Sequence, residues 1–374
     1  MTEMGSASRS LRILMTADAA GGVWQYCVDI VRGLKEKGAG ILLATLGPRP
    51  SAQQREQITE IGGIDLRESD YALEWMHDPW SDVDASGEWL LKLQSEFNAD
   101  VLHLNGYSHA ALPWNRPVLV TAHSCVFSWW RAVHGCTPGP EWAEYRHRIT
   151  RGLEAATQIV APTAAMARAL RDEYGVPYLR TKVIHNFSAL TSLEPPRKQA
   201  FCLAAGRLWD PAKNLHLLDE IGPRLDWPVR VAGSASGPDR KPVQARSVEL
   251  LGILGHESFL QQLRQAAIFL HPALYEPFGL SVLEAARSHC CLVLSDIPTL
   301  RELWDGAAIF VDPRRADHWV AEANRLSRDP GMRAQFAGRA YARANSFCRE
   351  KSIDEYLNIY RELSQAKRAR GAAA

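Results

Sequence analysis

The chain has 374 residues, about two to three times a usual single-domain length, so two domains with separate cores are expected and one small binding module is excluded. Lys plus Arg number 43 against 42 Asp plus Glu, a formal charge of +1 that provides no global field for holding a nucleic-acid backbone, so no nucleic-acid partner is expected. Hydrophobic residues at 46% and charged residues at 23% match a folded globular chain and exclude the polar composition that stays disordered. The opening MTEMGSASRS is polar and lacks the apolar stretch and cleavage site of a secretory signal.

Short apolar runs then recur: LRILM at 11, ILLAT at 41, VLHL at 101, VLVTA at 118, QIVA at 158, FCLAA at 201, VRVAG at 229, IFLHP at 268, CLVLS at 291 and AIFVD at 308. None alternates with period two, as expected of strands buried on both faces. Amphipathic stretches such as VWQYCVDIVRGLKEKG, EYRHRITRGLEAATQ, ESFLQQLRQAA and HWVAEANRLSRD separate them and read as crossover helices. The fold class is therefore α/β, with the strands divided between two Rossmann-like domains. The segment from Ser188 to Lys198, containing Pro195 and Pro196, reads as the linker. It divides the chain into domains 1–190 and 199–350, with 351–374 as a final helix and basic tail. That tail, Lys367, Arg368 and Arg370, is either a solvated end or a peripheral contact to anionic lipid at a membrane surface. Seven cysteines, at 27, 125, 136, 202, 290, 291 and 348, form no CxxC pair, so reduced thiols and a cytoplasmic location are expected. No run of 18 apolar residues suggests a membrane span.

Ligands of parallel sheets bind beyond the carboxyl ends of the strands, which directs attention to the residues after each run. Gly21 and Gly22 open a helix after the first run, either to admit a phosphate or simply to make a tight turn; no GxGxxG dinucleotide fingerprint is present. His123 follows VLVTA and is placed to donate to a sugar hydroxyl, with Trp129 and Trp130 as stacking faces for an acceptor; a core histidine and two core tryptophans are the alternative. Trp75, Trp80, Trp89 and Trp114 lie in or beside polar loops and extend that candidate acceptor groove. Arg207 ends the FCLAA strand, and Asp210 and Pro211 read as the cap and first residue of a helix with Lys213 in its first turn, where a second cation suggests a bound diphosphate. In HPALYEPFGLSVLEAARS, Pro277 reads as a first helical residue, so that Phe278, Gly279, Leu280 and Ser281 offer amides to the crevice, with Glu276 at the helix mouth. Glu284, two turns along, can accept from a vicinal diol such as a ribose, or is simply paired with Arg287 or Arg301. DVD at 82–84 reads as helix capping in preference to a metal site.

Taken together, GG at 21, TAH at 121, APTAAMARAL at 161, VIHNF at 183, AAGRLWDPAKN at 204, the E-x7-E of Glu276 and Glu284, and VDP at 311 resemble the retaining glycosyltransferases of the GT-B fold, family 4, over nearly the whole chain. The chain departs from the family's usual pattern at His289, where glycine is usual, at Cys291, where proline is, and at Phe187 after Asn186. The resemblance implies two domains facing each other across a cleft, with the C-terminal helix crossing back to the first. It implies that Arg207 and Lys213 hold the donor diphosphate, Glu284 the ribose, Glu276 and the Phe278 to Leu280 amides the sugar and phosphate, and His123 a hydroxyl of the transferred sugar. The base would be held by backbone around Leu254 and Gly255. The expected co-substrates are a UDP- or GDP-linked sugar and a saccharide or lipid-linked acceptor, with no metal and no other cofactor. A phosphorylase or epimerase of related fold, or a non-catalytic sugar-nucleotide binding subunit, are the alternatives.

Overall fold

The computed structural model describes residues 10–372 apart from 21, 178–179, 191–196 and 238–241. The described residues form two all-parallel sheets. The first contains β1 (Arg12–Asp18), β2 (Gly40–Leu46), β3 (Ile64–Arg67), β4 (Val101–Leu104), β5 (Val118–Thr121), β6 (Gln158–Ala161) and β7 (Thr181–Val183), in the order β3-β2-β1-β4-β5-β6-β7. The second contains β8 (Gln199–Ala205), β9 (Val229–Ala232), β10 (Glu249–Gly252), β11 (Ala266–His271), β12 (Cys291–Ser295) and β13 (Ile309–Val311), in the order β10-β9-β8-β11-β12-β13. Each apolar run read from the sequence is one of these strands. The strands β3, β7 and β10 were not anticipated, and each is the edge of its sheet with a half-exposed backbone.

Helices cover both faces. Around the first sheet lie α1 (Gly22–Glu36), α2 (Ala52–Ile61), α3 (Trp80–Phe97), α4 (Val126–His134), α5 (Ala143–Ala155) and α6 (Ala164–Tyr174). Around the second lie α7 (Leu215–Ile221), α8 (His256–Gln265), α9 (Leu280–Arg287), α10 (Pro298–Trp304), α11 (Ala316–Arg328) and α12 (Pro330–Ala344). Successive strand residues point to opposite faces, so Leu14 joins Leu90, Ile149 and Leu170 in one core while its neighbours Ile13 and Met15 join Ile30 and Leu34 in another. The second sheet is divided the same way: Phe269 and Leu292 pack under α9 and α12, and Ile268 and Val293 under α7 and α11.

The last helix, α13 (Arg349–Ala372), returns to the first sheet. Its Ile353, Tyr356 and Tyr360 are buried in the same core as Ile13 and Ile30. Tyr26 donates to the Tyr356 hydroxyl at 2.7 Å, and the fully buried His103 bridges the Tyr360 hydroxyl (2.6 Å) and Thr121 (2.7 Å). Burial drops the His103 pKa to about 3, so the imidazole is neutral, with one nitrogen donating and the other accepting. The side chains of Arg368 and Arg370 lie outside the described residues, as do Pro195 and Pro196. Among the described residues, no helix is long and apolar enough to cross a membrane.

His289, between α9 and β12, has φ +58, a left-handed conformation that costs an L-residue about 1 kcal/mol, and its ring stacks on Tyr341 with centroids 4.0 Å apart. His289→Gly is expected to relieve the backbone while losing the stack, whereas His289→Ala loses the stack and keeps the strain. The Ala variant should therefore melt below the Gly variant in a thermal scan, and the reverse order would contradict this account.

Candidate active site

Chain order in the second sheet reverses between β8 and β11, which opens a crevice beyond their carboxyl ends. Arg207 and Lys213 follow β8, and His271 to Glu276 close β11. Lys213 Nζ donates to Glu276 Oε2 at 2.7 Å, and His271 Nε2 lies 3.1 Å from the same oxygen. Burial alone would raise the Glu276 carboxyl, but Lys213 and His271 outweigh it and hold the group well below the usual carboxylate range. The segment before Lys213 differs from the expected helix. Pro211–Lys213 is a single 3-10 turn, capped by the Asp210 side chain accepting from Ala212 N at 3.0 Å, and Asn214 in a left-handed conformation (φ +56) stops it. Lys213 thus ends a turn instead of opening a helix. Asn214 Nδ2 donates to the carbonyls of Pro272 and Pro313, which ties this turn to the ends of β11 and β13.

The helix after Glu276 also begins later than the sequence suggests. Gly279, at φ +88, is the cap and Leu280 the first residue of α9, so Pro277 lies outside the helix. Phe278 is buried and packs edge-on against Phe347, leaving only its backbone near the crevice. Leu280 and Ser281 occupy the first turn. Glu284 is buried in the next turn, with the Ser188 hydroxyl 3.5 Å and His256 Nδ1 4.0 Å away. The alternative arginine pairings are not formed: Arg287 donates to the carbonyls of Ser188, Leu190 and Phe347, and Arg301 pairs with Asp296 and Asp305. Burial, reinforced by the neighbouring Asp29, pushes the Glu284 carboxyl up to about 8. At neutral pH it is therefore chiefly a neutral acid that can donate one hydrogen bond, whereas the sequence suggested a carboxylate accepting two.

The first sheet reverses between β1 and β4, and its crevice faces the second. Gly22 opens α1 here, and an added Cβ would meet nothing within 4 Å; Gly21 lies outside the described residues. His123 Nε2 is 2.8 Å from Asn105 Oδ1. Asn105 Nδ2 donates to the Thr16 carbonyl at 2.6 Å, which turns the amide oxygen toward the histidine, so Nε2 carries the proton and Nδ1 is bare. Burial lowers the His123 pKa to about 3, and the ring is neutral. The bare Nδ1 of His123 can accept a hydrogen bond, whereas the sequence suggested a donor at this position. A cavity of about 290 Å³ joins the two domains, lined by Trp24, Gln53 and Gln57 from the first and by Leu254, His256 and Ser281 from the second. Gly255 caps α8 beside it.

The tryptophans are placed differently from the expected groove. Trp75, Trp80, Trp89 and Trp114 pack against the core of the first sheet. Trp130 packs on His134 and Trp142, and Trp129 donates its indole N–H to Asp210 Oδ1 of the second domain at 3.0 Å. Of the DVD segment, Asp82 accepts from Ala72 N and Asp84 pairs with Arg148, both from within α3.

Sequence reasoning missed Asp18, Asn105, Tyr275 and Glu302. The Tyr275 hydroxyl meets Cys125 N (3.2 Å) and Ser128 Oγ (2.9 Å) at the start of α4, and the Glu302 carboxylate accepts from Ala164 N and Ala165 N (both 2.7 Å) at the start of α6. Asp18 had a legible signal, a carboxylate at a strand's carboxyl end; the others reveal themselves only through partners distant in sequence.

Comparison with known proteins agrees with this geometry. The family model for Glycosyltransferase Family 4 matches residues 20–189, and that for Glycosyl transferases group 1 matches 190–343. The chain belongs to the family 4 glycosyltransferases of GT-B fold. It is similar to O-antigen chain mannosyltransferase B of Escherichia coli, at 25% identity over 44% of this chain and 46% of that one, so it spans about half the length of that relative. It is also similar to the D-inositol 3-phosphate glycosyltransferase of Kineococcus radiotolerans, at 24% identity over 94% of this chain and 93% of the relative. Among solved structures, Anabaena HepE in complex with UDP and glucose shares the fold, with TM-score 0.74 and 16% identity over 93% of this chain and 99% of HepE. In this family 4 glycosyltransferase, His289 stands where the sequence pattern has glycine and takes a left-handed backbone, a conformation that favours glycine.

Burial raises the Asp18 carboxyl to about 6, opposed by the Ala20 amide (2.6 Å) and by Arg207 across the cleft. A raised folded-state value favours the native state at low pH, and that advantage is lost as pH climbs from the ordinary carboxylate value to about 6. Asp18→Asn should therefore raise Tm more at pH 7.5 than at pH 4.5, by an amount on the order of 1–3 kcal/mol in stability at the higher pH. Equal shifts at both values would show that Asp18 is not desolvated.

Proposed function

We propose that this enzyme moves a hexose from a UDP- or GDP-linked sugar to a hydroxyl of a saccharide or lipid-linked saccharide, with retained configuration and without a metal ion. The observation that carries this reading is the convergence of Arg207, Lys213 and the opening of α9 at the second sheet's switch point, opposite His123. The leaving group is a nucleoside diphosphate, whose negative charge grows as the sugar C1–O bond breaks. Arg207, Lys213 and the first amides of α9 neutralise that charge. The acceptor oxygen forms its bond to C1 on the face the diphosphate leaves, and its proton passes to the departing phosphate oxygen. His123 Nδ1 accepts from a hydroxyl of the transferred sugar and Glu284 binds the ribose. The names of the relatives, an O-antigen mannosyltransferase and an inositol-phosphate glycosyltransferase, and the UDP bound to HepE support a nucleotide-sugar donor and a hydroxyl acceptor.

Thermal-shift measurement with a panel of nucleoside diphosphates identifies the base, since a ligand of the native state raises Tm. Release of the nucleoside diphosphate should then depend on an acceptor and persist in EDTA. Acceptor-independent turnover, or complete loss in EDTA, would contradict the reading. Arg207→Ala and Lys213→Ala should each lower transfer by about a hundredfold or more, as for removal of a transition-state electrostatic donor. Wild-type turnover in both would remove the diphosphate assignment.

Glu284 supplies a pH test. Burial keeps its carboxyl largely protonated up to about pH 8, and binding a ribose diol through the carboxylate releases that proton. Nucleoside diphosphate affinity should rise between pH 6.5 and 8.5, and Glu284→Gln should flatten the profile. A wild-type profile that is already flat, or a variant that retains the slope, would place the titrating group elsewhere.

A further inference from the structure

Asp210 is 5% exposed and its carboxylate is shared by three donors. Oδ1 accepts from Ala212 N of its own turn (3.0 Å) and from Trp129 Nε1 of the first domain (3.0 Å), while Oδ2 accepts from Arg207 Nη2 (3.2 Å). Arg207 would otherwise match the carboxylate fork with two parallel bonds, which is the preferred geometry of such a pair. With Oδ1 occupied twice over, Arg207 is limited to one contact, and the rest of its guanidinium faces the cleft, its side chain 38% exposed. The donor that makes the difference comes from the opposite domain. Helix α4, which carries Trp129, is held against the second domain at both ends, by the Tyr275 hydroxyl at Cys125 N and by Arg314 donating to the Ala132 carbonyl (2.9 Å). The indole N–H thus reaches Asp210 across the seam between the domains, and the contact depends on how α4 is seated against the second domain.

We propose that Trp129 is a positioning residue for Arg207, acting through Asp210: its N–H draws the carboxylate off the guanidinium and frees Arg207 for the donor diphosphate in the closed enzyme. When α4 withdraws, Asp210 recovers Arg207 and the grip on the diphosphate loosens, so nucleotide release is tied to domain opening. This inference rests on the assignment of Arg207 to the diphosphate.

The test is a double-mutant cycle of Trp129→Phe, which keeps an aromatic ring and removes the N–H, with Arg207→Ala. Donor and acceptor kinetics are measured, together with calorimetric affinity for the nucleoside diphosphate that stabilises the protein. Trp129→Phe should lower kcat/KM for the donor by about tenfold, the size of one lost hydrogen bond to a charged group, and leave acceptor KM unchanged. In the Arg207→Ala background it should have no further effect, a non-additivity that a merely structural role does not produce. Benzothienylalanine at position 129 preserves the indole shape without the N–H and reads the same quantity should Trp129→Phe unfold. Additive effects, or a raised acceptor KM with donor constants intact, would overturn the proposal and return Trp129 to acceptor stacking. Wild-type nucleoside diphosphate affinity in Arg207→Ala is a separate outcome, which removes the diphosphate assignment itself and the proposal with it.

Discussion

The candidate site depends on one desolvated ion pair, Lys213 to Glu276, with both side chains less than one-fifth exposed. The partners stand 63 residues apart and meet because β8 and β11 are neighbours at the point where strand order reverses. Removing two charges from water is unfavourable by several kcal/mol per ion, and only close geometry with further hydrogen bonds offsets it. Here His271 supplies an additional contact to Glu276, and Asn214 anchors the turn that carries Lys213. Such a pair is a weak stabiliser of the fold but a rigid source of oriented polarity, which is what a reaction with a growing charge requires. Breaking it by removing one partner leaves the other charged and buried, so Lys213 and Glu276 constrain each other's replacement.

Two kinds of contact join the domains, and their physics differ. The return of α13 is largely apolar, with Ile353, Tyr356, Leu357 and Tyr360 buried under the first sheet, and each large side chain contributes about 1.5–3 kcal/mol. The seam across the cleft is polar: Glu302 on the α6 amides, Thr163 donating to the Pro277 carbonyl, Tyr275 at α4 and Trp129 at Asp210. Each of these exchanges for water at a net loss of about 0.5–1.5 kcal/mol, more where a charge is involved. The polar seam is therefore the weaker of the two joints, and the apolar packing of α13 on the first sheet the stronger. Between the two cores the chain crosses over from Phe347, buried in the second domain, to Ile353, buried in the first.

The central strands and the edge strand β13 were legible because burial forces continuous apolar runs; β3, β7 and β10 were not, because these edge strands hold no fully buried residue and carry no such run. Arg207, Lys213, Glu276 and Glu284 were legible as residues because strand ends and helix mouths are where parallel sheets bind ligands. Their settings were less so. A left-handed Gly279 outweighed Pro277 in deciding where α9 starts, and a left-handed Asn214 reduced an expected helix to one turn. Trp129 was singled out as a stacking face, but its partner Asp210 lies 81 residues away in the other domain, which local pattern does not encode.

Charge shows the same limit more sharply. A formal balance of +1 describes the chain as a whole and says little about the cleft, where burial resets each group. Glu284 is neutral to about pH 8, Asp18 stays protonated to about 6, and His123 carries no charge above about 3. The cleft also holds two salt bridges, Arg207 with Asp210 and Lys213 with Glu276. Under the proposed assignment, a diphosphate entering this cleft would meet cations that already have carboxylate partners, so that its binding would be an exchange of partners. The arrangement leaves neither cation without a partner, and under that assignment donor affinity would depend on how firmly each carboxylate is engaged elsewhere. For Glu276 the competing donor is His271, in its own domain, whereas for Asp210 it is an indole N–H from across the cleft. Of the two cations, Arg207 is therefore the one whose availability can follow domain closure.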